Sequence, residues 1–193
     1  MPNIKFFVEG REDANFIRQY CNITFNSQVT IKDFFIMGGW SGYKTGGTVH
    51  PEFTINSDDG GINLLIIDAD NDFIQRKGEI TTDKIKLAFS AELFLFPNAN
   101  DSGCLENLLT EIVVDKKLID CFKNYEACVK DYNKPLLKSR IYTYLDTLLH
   151  PYTPKSNSDD LRLIKNCDFA NKQHWDLTSE YLKPLHDFLN PYF

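Results

Sequence analysis

Residues Leu64–Asp72, LLIIDADND, set three carboxylates, Asp68, Asp70 and Asp72, directly behind an apolar run. An apolar run that is continuous rather than alternating marks a strand covered on both faces, as in a parallel sheet. We therefore read INLLIID, residues 62–68, as a buried central strand whose C-terminal end carries the acids. Three neighbouring negative charges repel one another unless a counter-ion or abundant water screens them. The stretch thus poses a question of chemistry as well as of fold.

Outward toward the N-terminus, IKFFVEG (residues 4–10) is a β-prone run closed by Glu9-Gly10. REDANFIRQYC follows it, with Phe16, Ile17 and Tyr20 at helical spacing. VTIKDFFIM (29–37) predicts a second strand, ended by the Gly-rich loop GGWSGYKTGG (38–47), which continues through polar residues to about Gly61. Toward the C-terminus, FIQRKGEITTDKIKLAFS (73–90) supplies a crossover helix interrupted near Gly78, and AELFLFP (91–97) a fourth strand stopped by Pro97. CLENLLTEIVVDKKLIDCFKNY (104–125) carries a helical apolar pattern through Leu105, Leu108, Leu109, Ile112 and Val113. The helical segments KSRIYTYLDTLL (138–149) and LTSEYLKPLHDFL (177–189) follow, separated by the link HPYTPKSNSDD (150–160).

Alternating strands and helices followed by helices alone predict a single α/β domain over residues 1–193. Its Rossmann-like core, about 1–110, has a mostly parallel central sheet flanked by helices, and about 111–193 forms a helical C-terminal extension. Ligands in such sheets bind beyond the carboxyl ends of the strands. Glu9, the 38–47 loop, Asp68 to Asp72 and the 97–106 loop all fall on that rim.

Composition narrows the function classes. With 42% apolar and 25% charged residues, the chain can bury a core. No run approaches the roughly 20 apolar residues that span a bilayer, and no signal-peptide pattern opens the sequence. A cytoplasmic protein without membrane contact is the expectation. Cys21, Cys104, Cys121, Cys128 and Cys167 lack Cys-x-x-Cys spacing, and the four histidines lack His-x-x-x-His spacing, so buried free thiols are expected and no soft-metal ligand set. The formal charge of −6 argues against a protein that coats nucleic acid through bulk charge. It leaves open an enzyme acting on phosphates, because a bound divalent ion inverts the local field. Residues 115–140 hold seven bases against four acids, readable as a binding face or as a solvated helix surface.

The motifs sort by chemistry. Counted from Asp68 as an EF-hand loop, Glu79 stands at position twelve, but position six is Phe73 instead of glycine and a strand precedes the loop, which excludes that reading. Mg²⁺ takes oxygen ligands, typically one or two carboxylates with water and substrate phosphate. Asp68 and Asp70 are candidates for a principal ion, Asp72 for a second ion or outer-shell water, and Glu9 for ligand or proton handling. In GGWSGYK, the glycines bring backbone amides within reach of a phosphate and Trp40 or Tyr43 can stack on a base, with Lys44 beside them. The same glycines read equally as a turn, with Trp40 capping the core. Lys138 and Arg140 are phosphate-binding candidates or helix-surface charges. The loop fails the Gly-x-Ser-x-Gly nucleophile elbow at Ser41, and no Gly-x-x-x-x-Gly-Lys-Ser/Thr is present.

FVEGREDANFI taken together with LLIIDADND resembles the TOPRIM domain shared by topoisomerases, bacterial primases, small RNA-maturing ribonucleases and OLD-family nucleases. Its pattern, a Glu after the first strand and Asp-x-Asp after a later one, falls on Glu9, Asp68 and Asp70. Over almost the whole chain, FLFPNANDSGCLENLL, CFKNY, KSRIYTYL and LKPLHDFL resemble small bacterial TOPRIM proteins related to the OLD nucleases. The Gly-x-Leu-Glu element of that group falls on Gly103 and Glu106 and implies a further metal-ligating carboxylate there. Glu106 and Asp13 also read as acids favoured at helix starts by the helix dipole. The resemblance implies a TOPRIM-like fold, Mg²⁺ or Mn²⁺ as cofactor, and metal-dependent phosphodiester cleavage of DNA or RNA, in phage defence or nucleic-acid processing. It further implies Glu9, Asp68 and Asp70 as catalytic groups, with Asp13, Asp72 and Glu106 as further ligands. A separate ATPase or defence-system partner is implied, since the chain carries no ATPase motif; self-association is left open. Two alternatives stand beside it: a non-catalytic, Mg²⁺-dependent nucleotide- or nucleic-acid-binding module of a larger complex, and an RNA maturase.

Overall fold

A computed structural model of the chain describes residues 3–132, 137–149 and 153–193. The chain runs β1 (Ile4–Val8), α1 (Arg11–Thr24), β2 (Phe34–Ile36), β3 (Lys44–Thr45), β4 (Thr48–Val49), α2 (Pro51–Asp58) and β5 (Ile62–Asp68). It continues through α3 (Phe73–Lys86), β6 (Glu92–Phe96), α4 (Leu105–Ile112), α5 (Lys116–Cys128), α6 (Lys138–Leu149) and α7 (Lys183–Leu189). Four strands form a parallel sheet in the order β2-β1-β5-β6, and β3 pairs with β4 in a small antiparallel hairpin. From β1 the chain moves outward to β2, then crosses back to place β5 on the other side of β1. The strand order therefore reverses between β1 and β5, and helices flank the sheet as expected of an α/β protein.

The register shows why the strands read as continuous apolar runs. Phe6, Val8, Leu64, Ile66, Phe94 and Phe96 face a core completed by α1, α4, α6 and the C-terminal segments, including Tyr144, Trp175 and Leu189. Their alternates Phe7, Leu65, Ile67 and Leu95 face a smaller core with Tyr43, Phe53 of α2 and Ile80 of α3. Successive strand side chains point to opposite faces, so covering both faces makes every position apolar. The helical C-terminal portion packs directly on the sheet and supplies one of its two covering layers.

Four local expectations are corrected. The second strand is confined to Phe34–Ile36, because Asp33 folds back to accept from the Thr30 amide at 2.6 Å and closes a 3₁₀ turn over Ile31–Asp33. The stretch to Gly61 is not loop throughout: it contains β3, β4 and α2, which starts on Pro51 with His50 accepting from the Glu52 amide. Proline at a first helical position is favourable, and this was the available signal. The helix α3 passes Gly78 without a break, and a β-carbon at Gly78 would meet only open space. The long helical pattern after Cys104 is two helices. Val113 turns extended to bridge Trp175, the Asp176 amide donates to the Ile112 carbonyl at 2.7 Å, and Asp115 caps α5. Residues 150–152, where the predicted link begins, lie outside the described residues, as does Lys134. No helix among the described residues is long and apolar enough to cross a membrane.

Candidate functional site

At the strand-order reversal, the carboxyl ends of β1 and β5 open into a cleft of about 410 Å³ lined by Glu9, Asp13, Asp68, Asp70, Glu106 and Lys138, among others. The acids arrive from three stretches of backbone. Glu9 follows β1, and its Oε1 accepts from the Asp68 amide at 3.0 Å. Asp13 lies in the first turn of α1, its Oδ2 accepting from the Gly10 amide at 2.7 Å. Asp68 ends β5, and its Oδ1 accepts from the Leu105 amide at the start of α4 at 3.0 Å. Glu106, in the first turn of α4, is buried and faces Lys138 Nζ at 3.6 Å; Lys138 also approaches Glu12 at 3.9 Å.

Crowding and burial leave their mark on the acids. Loss of solvent, followed by the charges of Asp13, Glu9 and Glu106, pushes Asp68 up to about 9. Burial likewise pushes Asp13 up to about 7, although the Gly10 amide opposes it. The Glu9 carboxyl is raised by burial against the counter-effect of the Asp68 amide. Burial acts to lower Lys138, but Glu106 and Glu12 outweigh it and hold the ammonium above its ordinary value.

The acidic trio of the sequence does not act as a unit. After Asp68 the chain leaves the strand. Asp70 adopts a left-handed conformation (φ 55°), donates its amide to the Gly103 carbonyl at 2.8 Å, and gives its carboxylate to Arg76 at 2.5 Å. Arg76 lies under Trp40, its guanidinium 3.8 Å from the ring centroid. Asp72 caps α3 by accepting from the Gln75 amide, so its part as a second-ion ligand is not what its carboxylate does here. The Gly103 turn is sterically demanding: φ is +142°, and a β-carbon there would lie 2.6 Å from Asn107 Oδ1.

The other sequence candidates are dispersed. Lys44 and the Tyr43 hydroxyl both bond Asp83 at 2.6 Å, tying the Gly-rich loop to α3. Trp40 packs partly buried against the smaller core. Gly42 serves close packing, since a β-carbon there would overlap the Met37 carbonyl. Arg140 is ion-paired with Glu126 at 2.6 Å, whereas Lys138, two residues earlier, reaches the cleft. Of the bases in residues 115–140, Lys116, Lys123, Lys138 and Arg140 stand in ion pairs.

One expectation about cysteine is corrected as well. Cys121 and Cys128 are exposed, on the outer side of an amphipathic helix. Cys104 stands in the cleft, and its sulfur, one Asp68 oxygen and one Glu106 oxygen all lie within 4.8 Å of one another, a spacing suited to a shared cation. Arg76 and Cys104 had no sequence signal beyond their nearness to the motifs; a side chain from the start of α3 reaches Asp70 only once the loop between them is folded. No curated protein and no solved structure matches the chain. Matching over residues 3–193, the chain belongs to the family described as protein of unknown function, DUF3226.

Proposed function

We propose that this protein is a divalent-metal-dependent phosphodiesterase acting on nucleic acid, with a TOPRIM-type core related to the OLD nucleases and Mg²⁺ or Mn²⁺ as cofactor. One observation carries the reading: Glu9 and Asp13, Asp68, and Glu106, from three separate stretches of chain, meet in the crevice where the strand order reverses. The donor set fits a hard cation. Glu9, Glu12, Asp13, Asp68, Asp70 and Glu106 line the cleft against Lys138 as the single cation among the lining residues. Asp13 and Glu106 are buried among these acids, and a bound divalent ion would offset their crowding.

Asp68 and Glu106 would hold the ion with Glu9 alongside, and Cys104, whose thiol burial holds above its ordinary value, would stand beside them as a neutral group. A bound ion supplies Lewis-acid polarisation of a phosphodiester and makes water acidic enough to attack it. The chain's own groups do the rest. The Leu105 amide fixes the orientation of Asp68, and the Asp68 amide that of Glu9. Glu9, raised by burial, exchanges a proton nearer neutrality than an ordinary glutamate. Lys138 brings positive charge to the cleft mouth, where a phosphate oxygen can replace Glu106 as its partner. Phage defence or nucleic-acid processing is the setting the resemblance favours, with a separate ATPase or defence protein as partner.

The test is incubation of labelled single-stranded DNA, duplex DNA and structured RNA with Mg²⁺ or Mn²⁺, alongside calorimetric titration of each ion. Cleavage that disappears in Asp68→Ala and Glu106→Ala supports the reading, and preference for structured RNA makes the protein an RNA maturase. Tight binding without turnover in either ion leaves a binding module only. Absence of ion uptake overturns the proposal.

A further inference from the structure

A second concavity, of about 590 Å³, opens along α1 beside the acidic cleft. Its charged lining is Arg11, Arg18 and Lys165, and Val29, Ile31 and Ile36 give it an apolar wall. Arg11, Asn15 and Arg18 recur at i, i+4 and i+7, which puts them on one face of the helix. Glu12 and Asp13, on the adjoining face of the same first turn, line the cleft. Arg11 is two residues beyond Glu9, and Ile36 ends β2, so the groove opens on the same rim of the sheet as the cleft.

The two arginines of this groove differ from the other three in their pairing. Of the five arginines, Arg76, Arg140 and Arg162 are in ion pairs with acids. Arg11 and Arg18 have no acid within ion-pair distance among the described residues, nor has Lys165, in a chain whose formal charge is −6. Arg18 is also held in place: its Nη2 donates to Asn15 Oδ1 at 3.0 Å, and Asn15 Nδ2 is anchored on the Ile164 and Cys167 carbonyls at 2.9 Å each. Ile31 is 56% exposed and Ile36 36%, leaving apolar surface beside the cations.

We propose that this groove binds the phosphodiester backbone of a nucleic-acid strand and leads it to the acidic cleft. The proposal rests on the function proposed above for the fate of the strand, though not for its binding. Arg11 to Arg18 spans about 10 Å along the helix axis at 1.5 Å per residue. Two cations that far apart on one helix face can meet separate phosphates of one strand while sugars or bases lie on Ile31 and Ile36. Beyond Lys165 the lining acquires an acid, Asp168, which marks the far end of the track.

The experiment is fluorescence anisotropy of a short labelled single-stranded oligonucleotide in EDTA, so that nothing is cleaved. Arg11→Gln/Arg18→Gln/Lys165→Gln is expected to weaken binding about tenfold or more. It should also flatten the dependence of log affinity on log salt by about 2, at about 0.7 per phosphate contact on a single strand. Arg11→Glu alone, at an exposed position, should weaken binding about threefold or more. Lys86→Gln/Lys117→Gln/Lys130→Gln removes the same charge elsewhere and should leave affinity and slope nearly unchanged. Equal binding by wild type and the groove variant, equal weakening by the control, or no binding by wild type overturns the groove. Wild-type cleavage with an unaffected groove variant removes the groove and keeps the hydrolytic reading; strand binding lost only in the groove variant, without cleavage in Mn²⁺, does the reverse.

Discussion

Within the first turn of α1, Asp13 is buried against Asp68 and Glu106, while Arg11, two residues earlier, stands exposed over the groove. The two regions share a helix and hold their charges in opposite ways. In the cleft, like charges are forced together and survive because backbone amides of Gly10, Asp68 and Leu105 point at them and because protons remain on them. In the groove, the cations stand without acid partners among the described residues, and a side-chain hydrogen bond to Asn15 aims Arg18. Protons and divalent ions should therefore act on the cleft, and salt on the groove.

The strongest way to break this contrast is Asp68→Asn. It should lower metal-dependent cleavage about 100-fold or more, since even partners one shell out from a metal are worth 10–100-fold. Strand affinity in EDTA should be unchanged, and a parallel loss of affinity would show that the two regions are one site. Gly103→Ala should come next: a β-carbon 2.6 Å from Asn107 Oδ1 and a left-handed φ should lower stability by about 1–3 kcal/mol in a denaturant melt. Groove affinity measured on the folded fraction should hold.

Acid–base linkage sharpens the contrast further. Asp13 and Asp68 keep their protons to about 7 and about 9 in the folded chain, against about 4 when unfolded. The folded state binds more protons over that window, so their contribution is full below about pH 4 and is lost as pH rises through 7 and 9. The metal-free Tm should fall by about 5 °C or more between pH 5 and pH 9. Mn²⁺ should restore most of it at the alkaline end, and the groove variant should show the same slope. Smallest of all, Gly78→Ala on the uncrowded face of α3 should raise stability by about 0.4–1 kcal/mol and touch neither region.

Much of the scaffold was legible in the sequence. Unbroken apolar runs announced strands covered on both faces, and the segment KSRIYTYLDTLL is α6 residue for residue. Glu9 and Asp68 were legible because each is the acid at or just beyond a strand end, where an open sheet binds its ligands. Asp68, Asp70 and Asp72 part company because alternation governs side-chain direction only within a strand. Past Asp68 the backbone turns left-handed at Asp70 and enters α3 at Phe73, with the Asp72 carboxylate occupied as the helix cap.

Lys138 and Arg140 teach the same lesson on a helix. Two residues apart, they point to opposite sides of α6, so packing against α4 and α5 sends one to Glu106 and the other to Glu126. The short α2 was hidden by a Gly-rich approach and few apolar positions. Cys104 was set aside for want of a second cysteine or a histidine, although its neighbouring donors turned out to be carboxylates, one of them distant in the chain.

By itself the sequence determined the strands, their two-sided burial and the acids that end β1 and β5, because periodicity and strand termini are local properties of neighbouring residues. Tertiary structure alone decided that Asp13, Glu106, Cys104 and Lys138 share the Asp68 cleft, that Arg76 holds Asp70, and that Arg11, Arg18 and Lys165 share a groove. Those meetings depend on the direction the chain takes after each strand and on which helix faces pack together, and both are settled by the burial of the whole core.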